Sequence, residues 1–146
     1  MLKGIHPLLT PDLLHALAAM GHGDTIAIVD ANFPSAGVGR RVIPVPGASA
    51  PEVLHAVLSV LPIDTAASPP AYTMEVVGDA DAVPEPVGDF AAVFTEHALA
   101  ECEIGRLERN AFYERARTAF AVVATGEIRP YGNILLVKGV VNRYDR

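Results

Sequence analysis

From residue 10 to residue 137 the chain alternates amphipathic segments with short aliphatic runs, and that alternation leaves few folds open to it. The runs Thr25–Val29, Val42–Val45, 72–77, Ile104–Leu107, 120–125 and Ile134–Val137 carry mostly Val, Ile, Leu and Ala. Such runs read as strands, the most apolar of them covered on both faces. Between them the spacing predicts helices. Thr10-Pro11-Asp12 offers an N-cap, a first-turn proline and an acid near the positive end of the dipole. Leu13, Leu14, Leu17 and Ala18 follow at helical spacing, and Gly21 is placed to close that helix in a left-handed cap. Ser49 and Glu52 form a capping box ahead of Val53, Leu54, Val57, Leu58 and Leu61, and Pro62 is the expected stop. A further helix is expected over about 89–100, and another, capped by Asn110, through Thr118. Residues 31–41 and 78–89, rich in Gly, Pro and Asp, read as loops. Strands alternating with helices imply a single α/β layered domain over residues 1–146, with 141–146 a polar tail.

Composition narrows the function classes. The 146 residues are 51% hydrophobic and only 19% charged, with a mean hydropathy of +0.31. A domain of this size does not easily hide that much apolar surface, so a homo-oligomer is expected. A net charge of −6 with no Lys/Arg run argues against nucleic acid. No apolar run approaches the roughly 18 residues of a membrane span. The N-terminal segment carries only Lys3 and is interrupted by Pro7, Pro11 and Asp12, a poor signal peptide. A single cysteine, Cys102, suits a reducing cytoplasm. Glycine-rich phosphate-binding motifs are missing, and His6, His15, His55 and His97 are scattered without metal-ligand spacing. No cofactor and no metal are expected.

The residues left for chemistry stand at element ends, where α/β proteins place reactive groups. His22, between Gly21 and Gly23, precedes a strand, and Asp30 follows it. Histidine exchanges protons near neutrality, which makes His22 a candidate acid–base group. It reads equally as a helix-terminal histidine, and Asp24 reads as a turn residue. The strand Ile104–Leu107 delivers Arg109 to its far end. Tyr131-Gly132-Asn133 supplies a hydroxyl, backbone amides and a carboxamide, equipment for binding several sugar hydroxyls, or else an ordinary turn.

Four blocks stand in a shared order and spacing. They are Met20-Gly21-His22-Gly23-Asp24, Asp30-Ala31-Asn32-Phe33-Pro34, Ala111-Phe112-Tyr113-Glu114-Arg115-Ala116 and the segment from Tyr131-Gly132-Asn133 to Val140. In these blocks the chain resembles the D-ribose pyranase / L-fucose mutarotase family, from Leu2 through Val140. Phe112-Tyr113-Glu114-Arg115 after Arg109 is similar to the fucose branch. The resemblance implies a cofactor-free cytoplasmic isomerase that interconverts α and β anomers of a free monosaccharide. It also implies an α/β subunit in a ring-based oligomer, often a decamer, with sites at subunit boundaries. By motif match His22 would be the catalytic proton donor, and Asp30, Arg109, Tyr131, Gly132 and Asn133 would bind the sugar. The chain departs from the pattern at Asn110, where the fucose branch carries an aromatic residue, and over 64–89.

The chemistry agrees with that expectation. Mutarotation needs a proton placed on the ring oxygen while another leaves the anomeric hydroxyl, work suited to a group titrating near pH 7. His22 fits that role. Asp30 is expected to orient His22 or accept a sugar hydroxyl, and Arg109 to donate from its planar fork. Phe112 or Tyr113 is expected to wall the methyl group of a 6-deoxy sugar. A ribose-type pyranase, a non-catalytic monosaccharide-binding protein and an oligomeric scaffold are the alternatives.

Overall fold

The structure, a computed structural model, describes residues 2–142; of the expected polar tail, residues 143–146 lie outside the described residues. Six strands form one mixed sheet: β1 (Thr25–Val29), β2 (Val42–Val45), β3 (Ala71–Met74), β4 (Ile104–Leu107), β5 (Ala121–Thr125) and β6 (Ile134–Val137), in the order β2-β5-β1-β6-β3-β4. β1, β2 and β5 run parallel, β3 and β4 run parallel, and β6 lies antiparallel to both β1 and β3. Five carboxyl ends and the amino end of β6 therefore meet along one edge of the sheet.

Helices cover both faces, as the aliphatic strands require. Alternation sends Ile26, Ile28, Ile134 and Leu136 to one side, where they pack with Leu13, Leu17, Leu54, Phe90 and Phe94. These come from α1 (Pro11–Ala19), α3 (Ala50–Leu58) and α4 (Glu85–Glu96). Ala27, Val29 and Leu135 point the other way and meet Phe33, Val38, Phe112 and Ala116. That thinner layer is built by α2 (Ser35–Val38) and α5 (Arg109–Thr118).

The capping signals at Thr10 and at Ser49–Glu52 are used as expected. Several boundaries differ. Gly21 does not cap α1: the helix ends at Met20 in extended backbone, and the left-handed residue is Gly23, with φ +84. The 31–41 loop contains the single turn α2, and α4 begins at Glu85 because Pro86 sits in its first turn, where a missing N–H costs nothing. α5 is capped by Glu108, whose carboxylate accepts the N–H groups of Asn110 and Ala111 at 2.9 and 3.3 Å. Asn110 is thus inside the helix and does not cap it. Among the described residues no helix is long and apolar enough to cross a membrane.

Candidate active site

At the carboxyl edge, a hollow of about 270 Å³ is lined by Asp30, Asn32, Phe33, Met74, Arg109, Tyr113, Pro130, Tyr131 and Asn133. Four of the six strand ends at this edge supply a part. Asp30 follows β1, Met74 ends β3, Arg109 follows β4, and Asn133 precedes β6. The volume lies near the lower end of small-molecule sites and is suited to a compact ligand. Wider hollows of about 550 and 660 Å³ elsewhere contain none of the buried polar side chains of the described residues.

Asp30 is 5% exposed and firmly held. Its backbone N–H donates to Asn133 Oδ1 at 3.0 Å, while Asn133 Nδ2 donates to Asp30 Oδ2 at 2.9 Å. The N–H of Asn32 donates to Asp30 Oδ1 at 3.0 Å. Burial pushes the Asp30 carboxyl above its ordinary value, against the opposing pull of these hydrogen bonds. Asn133 is itself buried, so much of its carboxamide is spent on clamping Asp30.

Backbone geometry brings Tyr131 and Gly132 to the same place. Tyr131 adopts φ +61, uncommon for a side-chain-bearing residue, and its hydroxyl accepts the Val77 N–H at 3.1 Å. A Cβ on Gly132 would stand 2.6 Å from Glu127 Cγ and 3.4 Å from Asp30 Cβ, so only glycine passes there. Beneath this turn Glu127 is 3% exposed. Arg129 grips it with two donors, Nε to Oε1 at 2.9 Å and Nη2 to Oε2 at 2.8 Å, and reaches Glu85 and Asp89 of α4 with Nη1. That grip holds the Glu127 carboxyl below its ordinary value.

Arg109 opens α5 and faces the hollow, with Tyr113 one turn on, along the same helix face. Tyr113 packs edge-on against Phe33, with ring centroids 5.3 Å apart. Of the two aromatics expected as a wall, Tyr113 lines the hollow and Phe112 is fully buried in the core. Asn110 does not line it.

His22 does not join this group within the chain. It lies before β1 and Asp30 lies after it, and the five-residue strand between them is about 16 Å long. Asp30 therefore cannot orient His22 within the chain. Its ring Nε2 instead meets Asp64 Oδ2 at 3.0 Å, with the His22 side chain 59% exposed. Asp64 and Met74 carry no motif signal in the sequence; only the fold places them.

A buried, clamped carboxylate in a hollow of mixed polar and apolar lining, at the carboxyl edge of an open α/β sheet, defines a small-molecule site of the kind such sheets form. The chain belongs to the RbsD / FucU transport protein family, whose model matches residues 3–141. It is 46% identical over 146 residues to a fucose mutarotase of Bos taurus, covering 97% of this chain and 95% of the relative. Its fold matches the crystal structure of the fucose mutarotase in complex with L-fucose from Streptococcus pneumoniae with a TM-score of 0.91 at 40% identity. That match covers 97% of this chain and 100% of the other. Bacillus subtilis RbsD complexed with D-ribose matches with a TM-score of 0.73 at 26% identity, covering 97% and 100%.

Proposed function

We propose that this chain is a sugar mutarotase that interconverts the α and β anomers of a free monosaccharide, L-fucose foremost. The observation that carries this reading is the Asp30–Asn133 clamp in a hollow edged by Arg109, Tyr113 and Tyr131. These groups offer acceptors, donors and an aromatic wall, which suits a hydroxylated ring with one apolar substituent. Fucose is favoured over ribose by the higher identity and closer fold match to proteins named for fucose.

His22 is the general acid–base group, and it comes from a neighbouring subunit of a ring-shaped homo-oligomer, a decamer in cytoplasm. Support for that origin is its exposure and its position at the opposite edge of the sheet from Asp30. His22 protonates the ring oxygen as the hemiacetal opens. Asp30 accepts the anomeric hydroxyl, and Arg109, Tyr131 and the Gly132-Asn133 segment hold the remaining oxygens. Positioning plus proton transfer suffices, because acid–base help of roughly 10²–10⁴-fold matters for a reaction already proceeding slowly in water.

Saturation-transfer NMR of anomer exchange tests the reading directly. Exchange of L-fucose is expected to be faster than that of D-ribose at equal enzyme. A ribose rate equal to or above the fucose rate favours the pyranase alternative, and binding without exchange favours a sugar-binding protein. His22→Gln is expected to abolish exchange while leaving the assembly intact.

A further inference from the structure

His22 stands on a platform assembled from two separated segments, both fastened to the carboxyl end of β6. The Gly23 N–H donates to the Lys138 carbonyl at 2.8 Å, and the Lys138 N–H donates to the Asp24 carbonyl at 2.9 Å. Those two bonds fix the 21–24 turn against the end of β6. The Asp64 segment is fastened to the same place: its N–H donates to the Val137 carbonyl at 3.0 Å, and the Gly139 N–H donates to the Pro62 carbonyl at 2.9 Å. Ile63 forms an antiparallel bridge with Lys138. The approach is close enough that a Cβ on Gly139 would stand 2.5 Å from the Ile63 carbonyl oxygen and 2.8 Å from Asp64 N. Two loops 42 residues apart thereby present one imidazole to one carboxylate.

The carboxylate is itself aimed. Asp64 Oδ1 accepts the Ala66 N–H at 3.2 Å, which leaves Oδ2 facing His22 Nε2. The Asp64 side chain is 17% exposed against 59% for His22, so the pair has an anchored end and a presented end. A surface ion pair chosen for stability gains little from such fastening. A carboxylate that pins one ring nitrogen, by contrast, fixes which nitrogen carries the exchangeable proton.

We propose that Asp64 is the positioning residue for His22: it holds the Nε2–H tautomer and leaves Nδ1 as the atom that exchanges protons with the sugar. The inference rests on the mutarotase reading above. In the step it implies, the proton on His22 Nδ1 moves to the sugar ring oxygen as the C1–O5 bond breaks and its electron pair goes to that oxygen. The anomeric hydroxyl gives its proton to the Asp30 carboxylate of the neighbouring subunit, and the C1–O1 double bond forms. After rotation about C1–C2, closure on the other carbonyl face reverses both transfers, so atoms and charge balance over the cycle. Asp64 keeps its hydrogen bond to Nε2–H throughout and does not touch the sugar. β6 thus serves two half-sites, with Asn133 before it clamping Asp30 and Lys138-Gly139 after it seating His22 and Asp64.

The test compares Asp64→Asn, Asp64→Glu and His22→Gln as intact assemblies. A carboxamide preserves shape but can donate its own N–H to Nε2, which favours the other tautomer. Asp64→Asn is expected to lower kcat for anomer exchange about 10–100-fold, part of the range general acid–base help spans. KM is expected to stay within about twofold, because a residue that acts only through His22 leaves ground-state binding alone. Asp64→Glu, with the charge retained, is expected to recover part of the lost kcat. In the parent protein at alkaline pH, ¹⁵N NMR of labelled histidine, assigned with His22→Gln, is expected to show the Nε2–H form. A parent protein in the Nδ1–H form overturns the proposal, as does an Asp64→Asn variant with parental kcat. If His22→Gln keeps full activity, the acid–base assignment itself fails, an outcome distinct from an inactive His22→Gln beside a fully active Asp64→Asn.

Discussion

Two buried carboxylates, Asp30 in the site and Glu127 beneath its Gly132 turn, are shifted in opposite senses, and each makes a separate prediction. Glu127 is held below its ordinary value of 4.5, first by the Arg129 side-chain hydrogen bonds. A carboxyl lowered in the folded state contributes stability that is present above its unfolded value and lost as pH falls through the folded one. Removing Arg129 leaves that carboxylate 3% exposed without its bidentate partner. Arg129→Ala is therefore expected to cost on the order of 3 kcal/mol at neutral pH in urea denaturation. Arg129→Lys should cost less, because it keeps the charge and loses only the fork. A loss below 0.5 kcal/mol, roughly the scatter of surface substitutions, would show that the network is merely superficial. Asp30 behaves in reverse. Burial raises its carboxyl above the ordinary 3.8, so its contribution to stability is full below that value and declines as pH rises through the folded titration. Subtracting the stability–pH curve of Asp30→Asn from that of the parent is expected to show this decline. A flat difference would place Asp30 in a solvated environment, and a rising one would mean that its hydrogen bonds outweigh its burial; either contradicts the upward shift.

At the scale of elements, α1 has no basic residue in its own last turn. Its carboxyl end is served by the residue just after β6 instead: Lys138 Nζ donates to the carbonyls of Leu17 and Met20 at 2.9 and 2.6 Å. A cation there satisfies unpaired carbonyls and complements the helix dipole. Lys138→Met is expected to lower stability by about 1 kcal/mol. Hydrogen exchange is expected to quicken selectively at residues 18–24, the turn that carries His22; uniform quickening would point to a global effect instead. Such services between distant elements also mark where sequence reading stops. Thr10 and the Ser49–Glu52 box were legible because a cap acts within four residues. Each strand was recognisable from its aliphatic run, with 72–77 cut back to a β3 that ends at Met74, where pairing with β4 ends. The cap of α5 was misplaced because Glu108 and Asn110 are both capable caps and only the end of β4 at Leu107 decides between them. Asp30 and Asn133 were each visible as candidates, yet their mutual clamp spans 103 residues and follows from β1 pairing with β6. The separation of His22 from Asp30 was implicit in the strand between them, whereas the Asp64 partner arises only from a loop contact.

The whole molecule poses a sharper question, because the parts of the proposed mechanism sit at opposite edges of one sheet. Exposed apolar side chains stand near the hollow: Ile128, 81% exposed, two residues before Pro130, and Val77, 61% exposed, whose N–H bonds the Tyr131 hydroxyl. Apolar surface of that kind beside a ligand-sized hollow suits contact with another subunit. If each site takes Asp30 from one subunit and His22 from its neighbour, two inactive variants can rescue one another. Asp30→Asn leaves His22 intact, and His22→Gln leaves the Asp30 pocket intact. In oligomers assembled at random from equal amounts of both, a site has an intact pocket in half the cases. It has an intact neighbouring histidine in half of those, so about a quarter of parental activity is expected from the symmetry of a repeated interface. Separate assemblies of each variant, mixed without exchange of subunits, are expected to stay inactive. The readout is L-fucose anomer exchange after co-expression, with differently tagged subunits so that only mixed assemblies are purified. Failure to regain activity in verified mixed assemblies would mean that no site draws on two subunits. His22 would then have to reach Asp30 across about 16 Å of strand within one chain, or take no part in the reaction.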